Sequence, residues 1–283
     1  MRAGLVTVAV LVASAAVACG DDRPDLVVDG TPPATPYGGP LHLPAERPDG
    51  EGARGLPGRA GAAGRALECD GEIYSGGAAD PWGRGDGGTT PEEGLRAYFD
   101  MDQPGVPRHG YRVERREKGR VLYSFDVDGR TKVAVVVAED RPGRPGWGPE
   151  TSASCDPAEL PASFTDTQEY EVWTDGDGER VPVARLSSSA GAAHCDWQKA
   201  HFLSLGQGED GRTYARDPDR VLPRGMLTSP YDGDVPLPAG AHDTGYRLRE
   251  RQLWLTDDPS RVYVRTSRGV EAWPLVKPDT GCK

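Results

Sequence analysis

The chain has 283 residues, enough for one large or two modest domains with buried cores. Its net charge is −11 at pH 7, with no long block of lysine or arginine. This disfavours nucleic-acid binding, which needs clustered cations to contact phosphates. Glycine (38 residues) and proline (26 residues) are abundant and asparagine is absent. A GC-rich genome, as in many actinobacteria, explains this bias without a functional cause.

The first eighteen residues have the pattern of an export signal. Arg2 is followed by an uncharged stretch, Leu5–Ala18, in which every residue is apolar or small. As a helix this stretch of 14 residues would be about 21 Å long, whereas a helix that spans a bilayer core needs roughly 20 residues. We therefore predict a signal peptide over residues 1–18, cleaved before Cys19.

The residues at the cleavage point, Ala16-Val17-Ala18-Cys19, resemble the bacterial lipobox. The pattern departs from the lipobox at Ala16, where leucine is commoner. The resemblance implies a diacylglyceryl thioether on Cys19 and anchoring to the outer face of the cell membrane, as in actinobacterial-type exported lipoproteins. An ordinary signal-peptidase site after Ala18 is the alternative, and it predicts a soluble secreted protein.

Residues 20–66 contain 18 glycines and prolines and show no apolar periodicity. We predict that residues 19–66 form a lipidated N-terminus and a flexible tether. Two folded modules are expected to follow, a first α+β module over residues 67–160 and a second, mainly β module over residues 161–283.

The four remaining cysteines, Cys69, Cys155, Cys195 and Cys282, are an even set, and an exported protein meets an oxidising environment. Sequential pairing would close two loops of similar length, Cys69–Cys155 and Cys195–Cys282, one in each module. A structural zinc site is the alternative, but the cysteines lack C-x-x-C spacing.

The first module has the clearest helix start in the chain. Thr90 is a predicted N-cap, Pro91 fits the first helical position, and Glu93 completes a capping box. One apolar face follows, formed by Leu95, Tyr98 and Phe99. Strands are predicted from Tyr111–Glu117 onwards, with turns at Lys118-Gly119 and Asp128-Gly129.

The second module shows the same kind of pattern. Gly245-Tyr246-Arg247 repeats Gly110-Tyr111-Arg112, and a Val/Tyr-rich strand, Arg261–Thr266, comes next. Tyr170–Thr174 and Val181–Leu186 are predicted to pair across the turn Asp175-Gly176-Asp177-Gly178. The fold class is therefore α+β, mainly antiparallel β, with two disulfide-closed modules of β-meanders and few short helices.

Motifs that would indicate catalysis, a metal or a cofactor are weak. Two G-x-G-x-x-G strings, starting at Gly83 and Gly206, lack the strand–helix context of a nucleotide site. Asp175, Asp177 and Glu179 begin with the spacing of a calcium loop, but Arg180 stands where that loop needs glycine. His194 and His201 share no metal-binding motif. We predict no catalytic residue, no metal and no cofactor.

Trp82 is the one candidate ligand-binding residue, because it lies in a polar loop where an exposed ring could stack on a sugar or anchor a protein. The alternative is a ring that folds back to cover the sheet edge.

The sequence thus predicts a lipid-anchored, non-enzymatic binding protein whose partner is a surface protein or a cell-wall polymer. A secreted carboxylate-dependent hydrolase and an extracellular solute-binding protein are the alternatives.

Overall fold

The computed structural model describes residues 24–45, 60–79, 82–102, 105–278 and 280. Within these ranges the protein is mostly antiparallel β-sheet with few helices, as predicted. The strands of the first half are β1 Ile73–Ala78, β2 Arg112–Glu117, β3 Arg120–Val127, β4 Arg130–Arg141 and β5 Arg144–Cys155. Those of the second half are β6 Tyr170–Val172, β7 Leu186–Ala190, β8 His201–Leu205, β9 Arg212–Arg216, β10 His242–Leu248, β11 Arg251–Leu255, β12 Arg261–Thr266 and β13 Gly269–Pro274. The helices are α1 Gly61–Ala66, α2 Pro91–Met101 and α3 Ala162–Thr165.

The first sheet has the strand order β1-β5-β4-β3-β2, with every neighbouring pair antiparallel. Helix α2 packs on one face of it and begins as the sequence predicts. The Thr90 side chain accepts a hydrogen bond from the Glu93 amide at 3.2 Å, and the Glu93 carboxylate accepts one from the Thr89 hydroxyl at 2.7 Å. The buried face of α2 is formed by Leu95, Tyr98 and Phe99.

The other face of this sheet is covered by residues expected to belong to the tether. The small side chains of α1 and the fully buried Leu41 pack there. Near the β2 edge, the Val28 amide donates to the Tyr111 carbonyl at 2.7 Å. Residues 24–45 and 60–66 therefore lie on the sheet rather than in a free tether. Their contacts come from isolated leucines and alanines, which leave no periodic signal. The remaining residues of the predicted tether, the signal peptide and Cys19 lie outside the described residues.

The second half contains two four-stranded sheets, with the orders β6-β7-β8-β9 and β10-β11-β12-β13. They share one core, which includes Trp173, Leu186, Leu203, Leu253 and Trp273. The predicted strand at Val181–Leu186 is wrong, because the Pro182 carbonyl accepts hydrogen bonds from the Arg185 and Leu186 amides and closes a turn. Leu186 instead begins β7, which pairs with β6.

The predicted Cys69–Cys155 disulfide is confirmed and encloses 86 residues. Cys195 is disulfide-bonded as well. Cys282 lies outside the described residues, so its pairing with Cys195 stays a prediction. Among the helices that the structure describes, none combines the length and the apolar character needed to cross a bilayer.

Candidate functional site

A cleft of about 930 Å³ lies where the first sheet meets the second half of the chain. One wall comes from the start of β1 and the beginning of β4, and the other from residues 179–185. The segment 156–162, which follows β5, joins the two walls. Ligand sites occur preferentially at junctions of this kind, and this volume is in their usual range.

Asp156 holds the two walls together. Its side chain is buried and its carboxylate accepts hydrogen bonds from three backbone amides, those of Ala158 at 2.8 Å, Val183 at 2.9 Å and Ala184 at 3.2 Å. The first amide belongs to the turn after Cys155, and the other two belong to the second half of the chain. Because its position directly follows the disulfide-bonded Cys155, this carboxylate is a fixed element of the cleft.

Lys132 lies between the acidic groups of the cleft and is only 4% exposed. Its ammonium donates to the Glu68 carbonyl at 2.9 Å, to Asp70 at 3.1 Å and to Glu159 at 2.6 Å. A hydrogen bond from Arg130, helped by Lys132, lowers the pKa of Asp70 to about 2 against the opposing effect of burial. These charges therefore neutralise one another within the protein.

Arg180 is the exception in this cleft. Its guanidinium donates to the Leu160 carbonyl and, at 2.5 Å, to the Thr165 hydroxyl, and both of these acceptors are neutral. Among the described residues no carboxylate lies within ion-pair distance of it. Desolvation lowers the pKa of Arg180, but a guanidinium stays protonated at any physiological pH. The cleft wall therefore holds a partly buried cation that forms no ion pair with the described residues, although the charges of Asp166 and Asp156 act on it from a longer distance.

The rim of the cleft carries both signs of charge. The side chains of Glu72, Asp128, Glu179 and Arg185 line the opening and are exposed, and the described residues provide none of them with an ion-pair partner. A polar ligand with charged groups fits this rim better than an apolar one.

A second ionisable cluster faces the core between the two sheets of the second half. His201 Nε2 lies 2.7 Å from the Glu171 carboxylate, and the Ser188 hydroxyl donates to the same carboxylate at 2.6 Å. Burial opposes ionisation of Glu171, but these hydrogen bonds and the charges of His201 and Arg251 outweigh it and lower its pKa to about 2. The Ser188 hydroxyl thus donates to Glu171 and not to His201, and Glu171 holds no proton for general-acid catalysis at neutral pH.

Trp82 does not present its ring to solvent, so the expectation of an exposed stacking surface is wrong. The side chain is 2% exposed and lies against the backbone of Gly148, where an added Cβ would come within 2.4 Å of the ring. The Arg144 guanidinium lies 5.6 Å from the ring centroid. The ring folds back onto the sheet, which is the alternative given above.

The acidic turn after β6 caps itself. Asp175 Oδ1 accepts hydrogen bonds from the Asp177 amide at 3.0 Å and the Glu179 amide at 2.9 Å, which gives the Asp175 carboxylate a role in the turn without an ion. In the described part of the chain, the one group with the geometry of a metal site is Cys69, Cys155 and Glu159, but both sulfurs are consumed by the disulfide.

No motif in the sequence marks Lys132, Asp156 or Arg180 as site residues. They come from segments far apart in the chain and belong to no motif, so only the packing of the two halves brings them together. No protein-family model, curated protein or solved structure matches the chain, so its function has to be argued from this geometry.

Proposed function

We propose that the chain is a lipid-anchored protein on the outer face of the bacterial membrane that binds a carboxylate-bearing ligand in the junction cleft, without catalysing a reaction there. The observation that supports this most directly is Arg180, a desolvated guanidinium that contacts only neutral acceptors at the wall of a 930 Å³ cleft. A guanidinium pairs best with a planar anion, to which it donates two parallel hydrogen bonds.

The other charges of the cleft favour binding over catalysis. Lys132 is surrounded by acceptors, Asp70 is held ionised, and Asp156 is occupied by backbone amides. None of these groups is poised to exchange a proton with a substrate. They form a polar surface of the cleft, and Arg180 supplies the charge that selects the ligand.

The proposal includes two modules, residues 67–160 and 161–283, with Cys195–Cys282 closing the second. The hydrophobic clusters support a boundary near residue 160, since the buried residues of one pair end at Leu160 and the other pair begins at Trp173, but the first core also includes Leu26, Leu41 and residues of α1. The anchor rests on the leader and on Cys19. The ligand is then a solute, or part of a surface protein or wall polymer.

The anchor has a direct test. Cys19→Ala should release the protein from the membrane fraction into the medium, because it removes the acceptor of the lipid, whereas Cys282→Ala should leave it membrane-bound. Immunoblotting of the two fractions measures this. A Cys19→Ala protein that stays with the membrane contradicts lipid anchoring.

The cleft is tested by filling it. Ala162 and Ser163 are neighbouring exposed residues of α3, but only Ala162 lines the cleft. With the purified full chain and a degenerate tripeptide library with free carboxylates, Ala162→Trp should reduce peptide retention about tenfold, while Ser163→Trp should not. Ultrafiltration and mass spectrometry measure the retained peptides. Equal retention by the two variants, or none by the wild type, contradicts a ligand site in the cleft.

A further inference from the structure

Strand β1 leaves one edge of the first sheet open. Within the described residues it pairs only with β5. The opposite edge differs, because the N-terminal segment hydrogen-bonds beside β2 through Leu26 and Val28. An open edge exposes backbone N–H and C=O groups whose natural complement is another extended chain.

The β1 edge also lacks the usual protection against pairing. Its sequence, Ile-Tyr-Ser-Gly-Gly-Ala, contains no charge and no proline, and most of its residues are exposed. The Ala79 amide donates to the Glu150 carbonyl at 3.1 Å. Along β1, residues whose backbone N–H and C=O groups face β5 alternate with residues whose groups face away, and this bond shows which are which. Gly76 and Ala78 therefore direct their backbone N–H and C=O groups away from β5, towards solvent.

This edge leads directly into the junction cleft. Ile73 and Tyr74, the first residues of β1, line the cleft together with Arg180. Tyr170 lies close to both walls: burial and the neighbouring Tyr74 raise its pKa to about 12, while the Arg180 charge opposes the rise. A chain paired along β1 would thus reach Arg180 where β1 begins.

We propose that the C-terminal segment of a partner protein adds to β1 as a further antiparallel strand and places its terminal carboxylate against Arg180. This rests on the proposed function and names its ligand class. The direction is taken from the five strands of the sheet, whose neighbours are all antiparallel; the short bridge between Val27 and Tyr111 at the opposite edge is parallel. A chain antiparallel to β1 enters beside Ala78 and ends beside Ile73, so its carboxyl end, not its amino end, lies in the cleft.

A partner C-terminus fits these observations better than a second copy of the chain. Pairing of two β1 strands would also satisfy the open edge. However, β1 is internal to the chain and would bring no terminal carboxylate to Arg180. A peptide end accounts for both the cation and the open edge with a single ligand.

The test uses degenerate seven-residue peptides with a free C-terminal carboxylate and the same peptides with a C-terminal amide. The purified wild-type full chain should retain the acids about tenfold better than the amides. Ala78→Pro should reduce retention of the acids by a similar factor, because proline removes an outward N–H while the β5 pairing of Ala79 is kept. Ala78→Ser, which keeps that N–H, should bind like the wild type.

A second measurement changes the ligand and keeps the wild-type protein, so its result does not depend on whether the proline variant folds. Acid peptides methylated on alternate backbone nitrogens should lose retention by the wild-type protein in one of the two methylation frames, since only one frame faces β1. Equal retention of both frames and of acids and amides overturns the proposal. The proposal is also overturned if sedimentation shows that the wild-type protein is a dimer and that Ala78→Pro dissociates it.

The failure of this inference is distinguishable from failure of the proposed function. If Ala162→Trp abolishes retention of tripeptides but Ala78→Pro leaves heptapeptide binding intact, the cleft binds ligands and strand addition is wrong. If heptapeptide binding depends on Ala78 but not on Ala162, strand addition bypasses the cleft, which contradicts both the carboxylate contact and the cleft site.

Discussion

Two cations of the junction cleft, Lys132 and Arg180, differ in the acceptors that surround them. The Lys132 ammonium has three oxygen acceptors around it, two of them carboxylates, and removing it would take the paired cation away from the partly buried Glu159 carboxylate. The Arg180 guanidinium has neutral acceptors only. Desolvation of Arg180 is opposed only by the more distant charges of Asp166 and Asp156, because no ion pair forms among the described residues, and a ligand anion would add to that compensation.

Glu171 makes a pH-dependent contribution to stability. Its pKa falls from 4.5 in the unfolded chain to about 2 in the folded protein, so the folded state favours its ionised form. That contribution is complete above the unfolded value and is lost as the pH falls towards about 2. We expect the unfolding free energy of Glu171→Gln to depend less on pH between 4.5 and 2 than that of the wild type, as measured by urea unfolding.

A matched control for this variant is Glu179→Gln. Glu179 is an exposed carboxylate without an ion pair among the described residues, so its loss should leave the wild-type pH dependence unchanged. If the two variants show the same slope in this pH range, the hydrogen bonds from His201 and Ser188 do not hold Glu171 ionised.

At the scale of elements, the sequence predicts a helix start or a turn correctly where a short motif determines the backbone conformation directly. The capping box of α2 is one example, and the Asp128-Gly129 turn is another. Both residues of that turn have positive φ, 51° and 74°, the conformation that a tight hairpin requires and that Asp-Gly favours. The strands flanking the turn follow from it, because a two-residue loop sets their register.

Strand β5 could not be predicted from its residues. It contains Pro145, Gly146, Gly148 and Pro149, which individually disfavour strands. This part of the strand persists because it pairs with β4 and, at Trp147, with Gly88, while β1 pairs with the later residues of β5, Thr151–Cys155. Gly148 lets the Trp82 ring lie against the backbone, so a residue that weakens the strand locally improves the packing of the sheet.

The candidate cleft escaped prediction for a related reason. A chain with 44 acidic and 33 basic residues does not reveal which charges meet. Arg130 and Arg180 occur in ordinary polar surroundings in the sequence, and their different roles depend on which acceptors the folded chain brings to each. Only tertiary contacts distinguish Arg130, which forms an ion pair with Asp70, from Arg180, which donates to the Thr165 hydroxyl and forms no ion pair with the described residues.

At the scale of the whole molecule, the buried residues of the two halves form different hydrophobic clusters, with Phe164 packed against the first, and polar contacts also join the halves. Asp156 and Arg180 are the principal ones described, each joining a residue of one half to a backbone or side-chain group of the other. The ligand proposed above would bind across that contact and couple the halves further.

Asp156 and Asp217 make a test of this coupling. Both are 6% exposed and accept hydrogen bonds from two or more backbone amides, but those on Asp217, from Val221 and Leu222, are local to the second half. Either substitution by alanine leaves buried donors unpaired, at a cost of about 1–3 kcal/mol for each donor. Only Asp156→Ala should make the two halves unfold at different denaturant concentrations. Hydrogen exchange across a urea series, read separately for peptides of each half, measures this. Coincident unfolding in Asp156→Ala, as in Asp217→Ala, would mean that the two cores form one cooperative unit without this carboxylate.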